Sequence, residues 1–141
     1  MTMAELPPEA LHRLIEVAGP DADDAPSVIE IRQLGGALDR EPEVPNSVPT
    51  RGVPFELFTA SFGGPDEEGQ LDSALDHVIE VLRPWSGPRR MPNFLTPTEA
   101  TAPDELRVAY GPDRYDRLAR IKQAYDPLDL FRMNHNIVPA G

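Results

Sequence analysis

The chain has 141 residues, 40% of them hydrophobic, and a formal net charge of −11. This suits one domain with a modest core and argues against wholesale disorder. The acidity argues against a nucleic-acid partner, whose phosphates demand a basic surface, and against an anionic membrane surface. With no cysteine, neither a disulfide framework nor a thiolate metal site can form.

Residues 1–14 show no basic region followed by an apolar run, and no stretch is long and apolar enough to cross a bilayer. A cytoplasmic location is therefore expected. Seventeen prolines predict long irregular connections. Pro7-Pro8-Glu9 starts a short helix with Leu11, Leu14, Ile15 and Ala18 on one side, and Gly19-Pro20 ends it. Residues 21–26 carry three aspartates but no glycine-centred loop with a closing glutamate, so they read as a solvated linker and not a calcium loop.

Residues 28–34 alternate as a strand, with Ile29 and Ile31 facing one way and Glu30 and Arg32 the other. Gly35-Gly36 offers a bend. Residues 39–50 hold three prolines and few apolar side chains and read as an extended loop. Residues 53–62 form a second strand with apolar side chains on both faces, as expected if both are covered. Pro54 belongs at its start or on an edge. A helix is predicted over 67–82, with Leu71, Leu75, Val78, Ile79 and Leu82 as its apolar stripe. His77 lies off that stripe with no partner pattern for a metal. Residues 89–95 read as a third short strand interrupted by Pro92, and Pro103 opens a brief helix.

The densest pattern closes the chain, over residues 109–137. Gly111-Pro112 suits a helix start, because proline at the first helical position loses no needed hydrogen bond. Tyr115, Leu118, Ile121 and Tyr125 recur at helical spacing as a core stripe. Asp113 with Arg117 and Asp116 with Arg120 stand four apart, acid first. Asp126 precedes a proline and should end the helix. Leu128, Leu130 and Phe131 then predict an apolar plug, and the polar tail Asn134-His135-Asn136 should lie across another surface.

This closing stretch resembles the C-terminal segment of the berberine-bridge-enzyme-like FAD-linked oxidoreductases. The matching residues are Tyr110-Gly111, Tyr115 with Leu118, Lys122, Tyr125-Asp126-Pro127, Phe131, and Asn134 and Asn136 before Ile137. Upstream, the strand at Ile29 with Leu34-Gly35-Gly36-Ala37, the arginine at Arg51, and Met91-Pro92-Asn93-Phe94 are similar to family features in the same order. Met91 stands where the family usually has a tyrosine, so the catalytic group of this position is unassigned.

The resemblance implies an α+β fold, a small antiparallel sheet with helices packed on one face, as an incomplete substrate domain. It divides the chain into an N-terminal helix and acidic linker (1–26), a partial sheet and helix (27–108) and the berberine-like segment (109–141). It implies FAD as cofactor, with Asn93, Asn134 and Asn136 toward it, and no metal. Hydride abstraction from an organic alcohol, amine or sugar-like substrate is the implied reaction. Nothing in the sequence looks like an FAD-binding domain, so a separate FAD-domain chain is the implied partner, or self-association through an exposed sheet. The isolated chain is expected to be inactive. A non-catalytic binding module and an inactive remnant of such an enzyme remain alternative readings.

Overall fold

The computed structural model describes residues 1–87, 89–96 and 99–141. Packing divides the chain into two units, Met1–Leu38 with Val53–Gly87, and Asp39–Gly52 with Pro88–Gly141. Residues 109–141 lie wholly within the second unit, and residues 27–108 are shared between the two.

The first unit is an α+β layer pair. Its strands are β1 (Thr2–Met3), β2 (Val28–Gln33) and β3 (Phe55–Ala60), antiparallel in the order β1-β3-β2. In register, Ile31 faces Leu57 and Arg32 faces Glu56. Helices α1 (Pro8–Ala18) and α2 (Glu68–Leu82) cover one face. The core there is Met3 and Leu57 from the sheet against Ala10, Leu14, Val78 and Leu82 from the helices. Ile29, Ile31 and Phe55 pack around it, as strand alternation requires.

Two details depart from the sequence reading. Helix α1 turns a different stripe inward: Ala10 and Leu14 are buried with Val17 and Ala18 beside them, whereas Leu11 and Ile15 face out. A small residue at position 10 lets the helix approach closely, and apolar spacing alone does not separate two adjacent stripes. The second face of the sheet is polar, not an apolar layer. Arg32 holds both carboxylate oxygens of Glu30 at 2.7 Å, lies 3.5 Å from Glu56, and sits 5.3 Å over the Phe58 ring. Burial pushes the Glu56 carboxyl above its ordinary range, partly offset by the charges of the Met1 amino terminus and Arg32.

The second unit is built on α3 (Pro103–Tyr110) and α4 (Pro112–Tyr125). Gly111 separates them at φ +83, a conformation that side chains resist and glycine accepts. Leu106, Tyr115 and Ala119 form its core, closed by Leu95, Tyr110, Ile137 and Ala140. The tail therefore does lie across a surface: it runs back along α4, with the Ala140 amide donating to the Ala119 carbonyl at 3.1 Å.

Residues 89–95 are not a strand. Pro92–Phe94 is one turn of 3-10 helix, and the third strand of the sheet is the two-residue β1. Pro92 cannot donate to a strand ladder, and it sits comfortably at the start of a helical turn. Neither acid-first pair on α4 forms as written. Asp116 is gripped by Arg107 from α3, while Arg117 donates to the Pro45 carbonyl and Arg114 pairs with Glu41. Arg89 adds bonds to the carbonyls of Pro49 at 3.1 Å and Arg51 at 2.8 Å. The proline-rich loop 39–52 thus lacks strand partners but is strapped down by arginines on its exposed carbonyls.

The two faces of α1 give a direct check. Leu14→Ala is expected to cost about 2–5 kcal/mol, as for other buried leucines, and Ile15→Ala to stay within about 0.5 kcal/mol. Urea denaturation of both variants measures this; equal losses would contradict the observed orientation of the helix.

Candidate functional site

The end of α4 is fastened by one lysine. The Lys122 ammonium has three N–H groups and uses all of them: Asp126 Oδ2 at 2.6 Å, Asp129 Oδ1 at 3.0 Å and the Phe131 carbonyl at 2.5 Å. Asp126 in turn accepts the backbone amides of Leu130 at 2.8 Å and Phe131 at 3.0 Å. Asn136 donates its side-chain amide to both carboxylate oxygens of Asp129, at 3.1 and 2.9 Å. The Lys122 ammonium, helped by the two backbone amides, holds the Asp126 carboxyl down to about 2.

This network explains why the chain turns where it does. Asp126 ends the helix, Asp129 adopts φ +51 and Asn134 φ +56, both residue types that tolerate the left-handed region. The turn does not bury the predicted plug. Leu128, Leu130 and Phe131 are 78%, 73% and 82% exposed, and Tyr125 and Met133 are equally open. Ile121, predicted as core, is also exposed, and Ala119 takes the buried place beside Tyr115. The hydrogen bonds of the turn are satisfied internally, so its apolar side chains are held outward as a fixed ridge.

Two adjoining clefts lie in the same unit. One, of about 670 Å³, is bounded by Asn93, Tyr110, Asn134 and His135, with Leu95 and Met133 supplying apolar wall. The other, of about 420 Å³, is bounded by Met91, Asn93, Tyr110 and Leu118, with Val48 and Thr50 of the strapped loop opposite. Asn93 and Asn134, apart by some forty residues in sequence, thus come to one cleft. Asn136 stands elsewhere, engaged with Asp129. Met91 lines the second cleft.

His135 and Tyr110 are the titratable groups of the larger cleft. His135 Nε2 meets the carbonyls of Thr96 at 3.0 Å and Glu99 at 2.9 Å. Two carbonyl acceptors require Nε2 to carry the proton, which leaves Nδ1 as the acceptor in the neutral ring. Burial pushes the Tyr110 phenol above its ordinary range, so it remains a proton donor at neutral pH. Sequence spacing did not single out Tyr110 for the cleft, although its place in the Tyr-Gly turn at the end of α3 was a signal. Thr50 and Val48 were hidden inside a loop with no periodicity.

FAD can be tested against these residues. The amides of Asn93 and Asn134 can bond the polar edge of a flavin ring, and no Asp, Glu, Lys or Arg lines that cleft among the described residues. One common cradle for a pyrophosphate is a glycine-rich turn feeding a helix N-terminus, and the sequence holds no such signature. The amide groups of this cleft suit the polar edge of a flavin ring. Among the described residues there is no group of three His, Asp or Glu able to hold a metal ion, and no helix is long and apolar enough to cross a membrane.

The sequence model of the family described as "Berberine and berberine like" matches residues 93–138. That span begins at Asn93, includes Tyr110 of α3, which lines both clefts, and Leu118 of α4, which lines the smaller, and ends in the tail. Residues 93–138 are accordingly a berberine-like segment, and the family it marks is one of FAD-linked oxidoreductases. No curated protein matches the chain.

The Lys122 network makes a pH prediction. A carboxyl depressed from 3.8 to about 2 contributes its stabilisation fully above about pH 4 and loses it as pH falls through about 2. The Leu130 and Phe131 amide resonances should titrate with a midpoint near 2, followed by NMR. Asp126→Asn should remove their protection from hydrogen exchange at neutral pH. A midpoint in the ordinary aspartate range would show that the network does not hold the turn.

Proposed function

We propose that the chain supplies the C-terminal part of the substrate domain of an FAD-dependent oxidoreductase, working with a separate FAD-binding domain. The observation that carries this is the convergence of the berberine-like pattern. Lys122, Asp126 and Asn136 are spaced along the motif and meet in one network, whose effect is to hold Leu128, Leu130 and Phe131 outward. A rigid apolar ridge of this kind is a surface for another domain. The cleft with Asn93, Asn134 and Tyr110 would then meet the flavin ring, while the phosphates stay with the partner.

The reaction class is hydride abstraction from an organic alcohol, amine or sugar-like substrate. FAD, when bound by the partner, supplies the two-electron acceptor. Met91 can neither take nor give a proton. Within the cleft a proton can be held at Tyr110 Oη or received at His135 Nδ1, and the Thr96 and Glu99 carbonyls keep the imidazole in that tautomer. Met91 also favours a second reading, a binding module that has kept the fold and lost the chemistry, since the residue removes a proton-transfer group and adds an apolar one.

Co-expression with an FAD-domain chain of the same family should yield a yellow complex, whereas the purified chain alone should be colourless. Leu130→Asp and Phe131→Asp alter largely exposed side chains, so they should leave the circular dichroism spectrum unchanged and abolish the complex. Stoichiometric flavin on the lone chain, or a complex indifferent to both substitutions, would sink the reading.

A further inference from the structure

Strand β2 is an edge of its sheet: β3 pairs with one side of it, and the strand order β1-β3-β2 leaves the other side open. The Leu34 amide donates to the Pro54 carbonyl at 2.8 Å, continuing the register that sets Arg32 opposite Glu56. Antiparallel ladders alternate, so the even-numbered residues of β2 bond to β3 and Ile29, Ile31 and Gln33 turn their backbone groups outward. The far strand agrees, because the Leu57 amide of β3 donates to the Met1 carbonyl and not to β2. No hydrogen bond reaches the outward groups of Ile29, Ile31 and Gln33 among the described residues. Such an edge is a template for another strand.

We propose that the strand it takes is β2 of a second copy of this chain, antiparallel, with Ile31 opposite Ile31 and Glu30 opposite the partner's Arg32. The side chains select both the occupant and the register. Ile29 and Ile31 belong to the core face, whereas Glu30 and Arg32 meet on the polar face. A slip of one residue would set one face against the other. A slip of two would put Glu30 on Glu30 or Arg32 on Arg32, like charges directly opposite. Longer slips shorten the ladder. The remaining register sets Glu30 against Arg32 twice over, as the symmetry of a two-fold dimer requires. It also brings the open backbone groups into step. Ile31 with Ile31 and Ile29 with Gln33 become hydrogen-bonded pairs, and Glu30 with Arg32 falls in the closer pairs between them, with Cα atoms about 4.5 Å apart. Arg32 keeps its bonds to Glu30 and Glu56 of its own chain, so the charges form one alternating cluster across the axis. An unrelated strand could use the same backbone groups but would not bring this charge pattern. The clefts and the ridge at Leu130 and Phe131 take no part, so the dimer stands or falls apart from the FAD-domain reading.

Analytical ultracentrifugation of the full chain should show a dimer that grows with concentration. Amide hydrogen exchange should slow at Ile29, Ile31 and Gln33 as it forms, and stay unchanged at Glu30 and Arg32. Glu30→Arg and Arg32→Glu each bring like charges together at both contacts, and each should weaken self-association at least about tenfold. An equimolar mixture of the two variants restores opposite charges and should dimerise as the unmodified chain does. Leu130→Asp should leave the dimer unchanged. The exchange pattern is read on the unmodified chain, so it decides the matter even where Arg32→Glu fails to fold. The proposal is overturned by a chain that stays monomeric with those three amides unprotected, or by folded charge variants whose mixture does not recover. Loss in only one charge variant would place the register two residues away, and loss with Leu130→Asp would place the contact on the ridge; either result also overturns it.

Discussion

The second unit depends on an ammonium group that has run out of protons to give. Lys122 spends its three N–H groups on Asp126, Asp129 and the Phe131 carbonyl, and those partners complete the turn by accepting the following amides and the Asn136 side chain. A guanidinium would not substitute, because its planar fork spreads donors across a wider arc than the compact point charge needed here. With this centre in place, the helix ends at Asp126, the ridge points outward and the tail is brought back along α4. Removing any one partner leaves two others charged or unpaired, so the turn behaves as a unit.

The loop 39–52 follows a different economy. It has too little apolar surface to pack and too many prolines to pair as a strand, so its carbonyls are its main adhesive groups. Arg89, Arg114 and Arg117 supply the donors and Glu41 one ionic anchor. This is how a segment without regular structure comes to form a stable cleft wall beside α4. The first unit needs no such device, because its strands and two helices close around Met3, Leu57, Val78 and Leu82.

The helices were legible because their ends carry chemistry: Pro8, Pro103 and Pro112 at the starts, Gly19, Gly111 and Asp126 at the ends. Strand β2 was legible through alternation and β3 through its apolar run. What periodicity does not encode is which of two neighbouring stripes turns inward, and so Ala10 and Ala119 took places expected for Leu11 and Ile121. Strand β1 is too short to show a period at all. Local charge pairing misled for a related reason: the arginines of α4 find distant carbonyls and Glu41 from a loop some seventy residues earlier. The clefts were legible only residue by residue. Asn93, Asn134 and Met91 were marked by the family pattern, but their grouping with Tyr110 and His135 is a product of the tertiary fold.

Lys122 is the only lysine among twelve arginines. Its side chain is 14% exposed and its ε-amine fully engaged. An amine-directed acylating reagent therefore finds one side-chain target in this chain, and reaches it only when the turn opens. The rate of that labelling is a built-in clock for the opening of the segment that carries the ridge, read at a single atom without any engineered label.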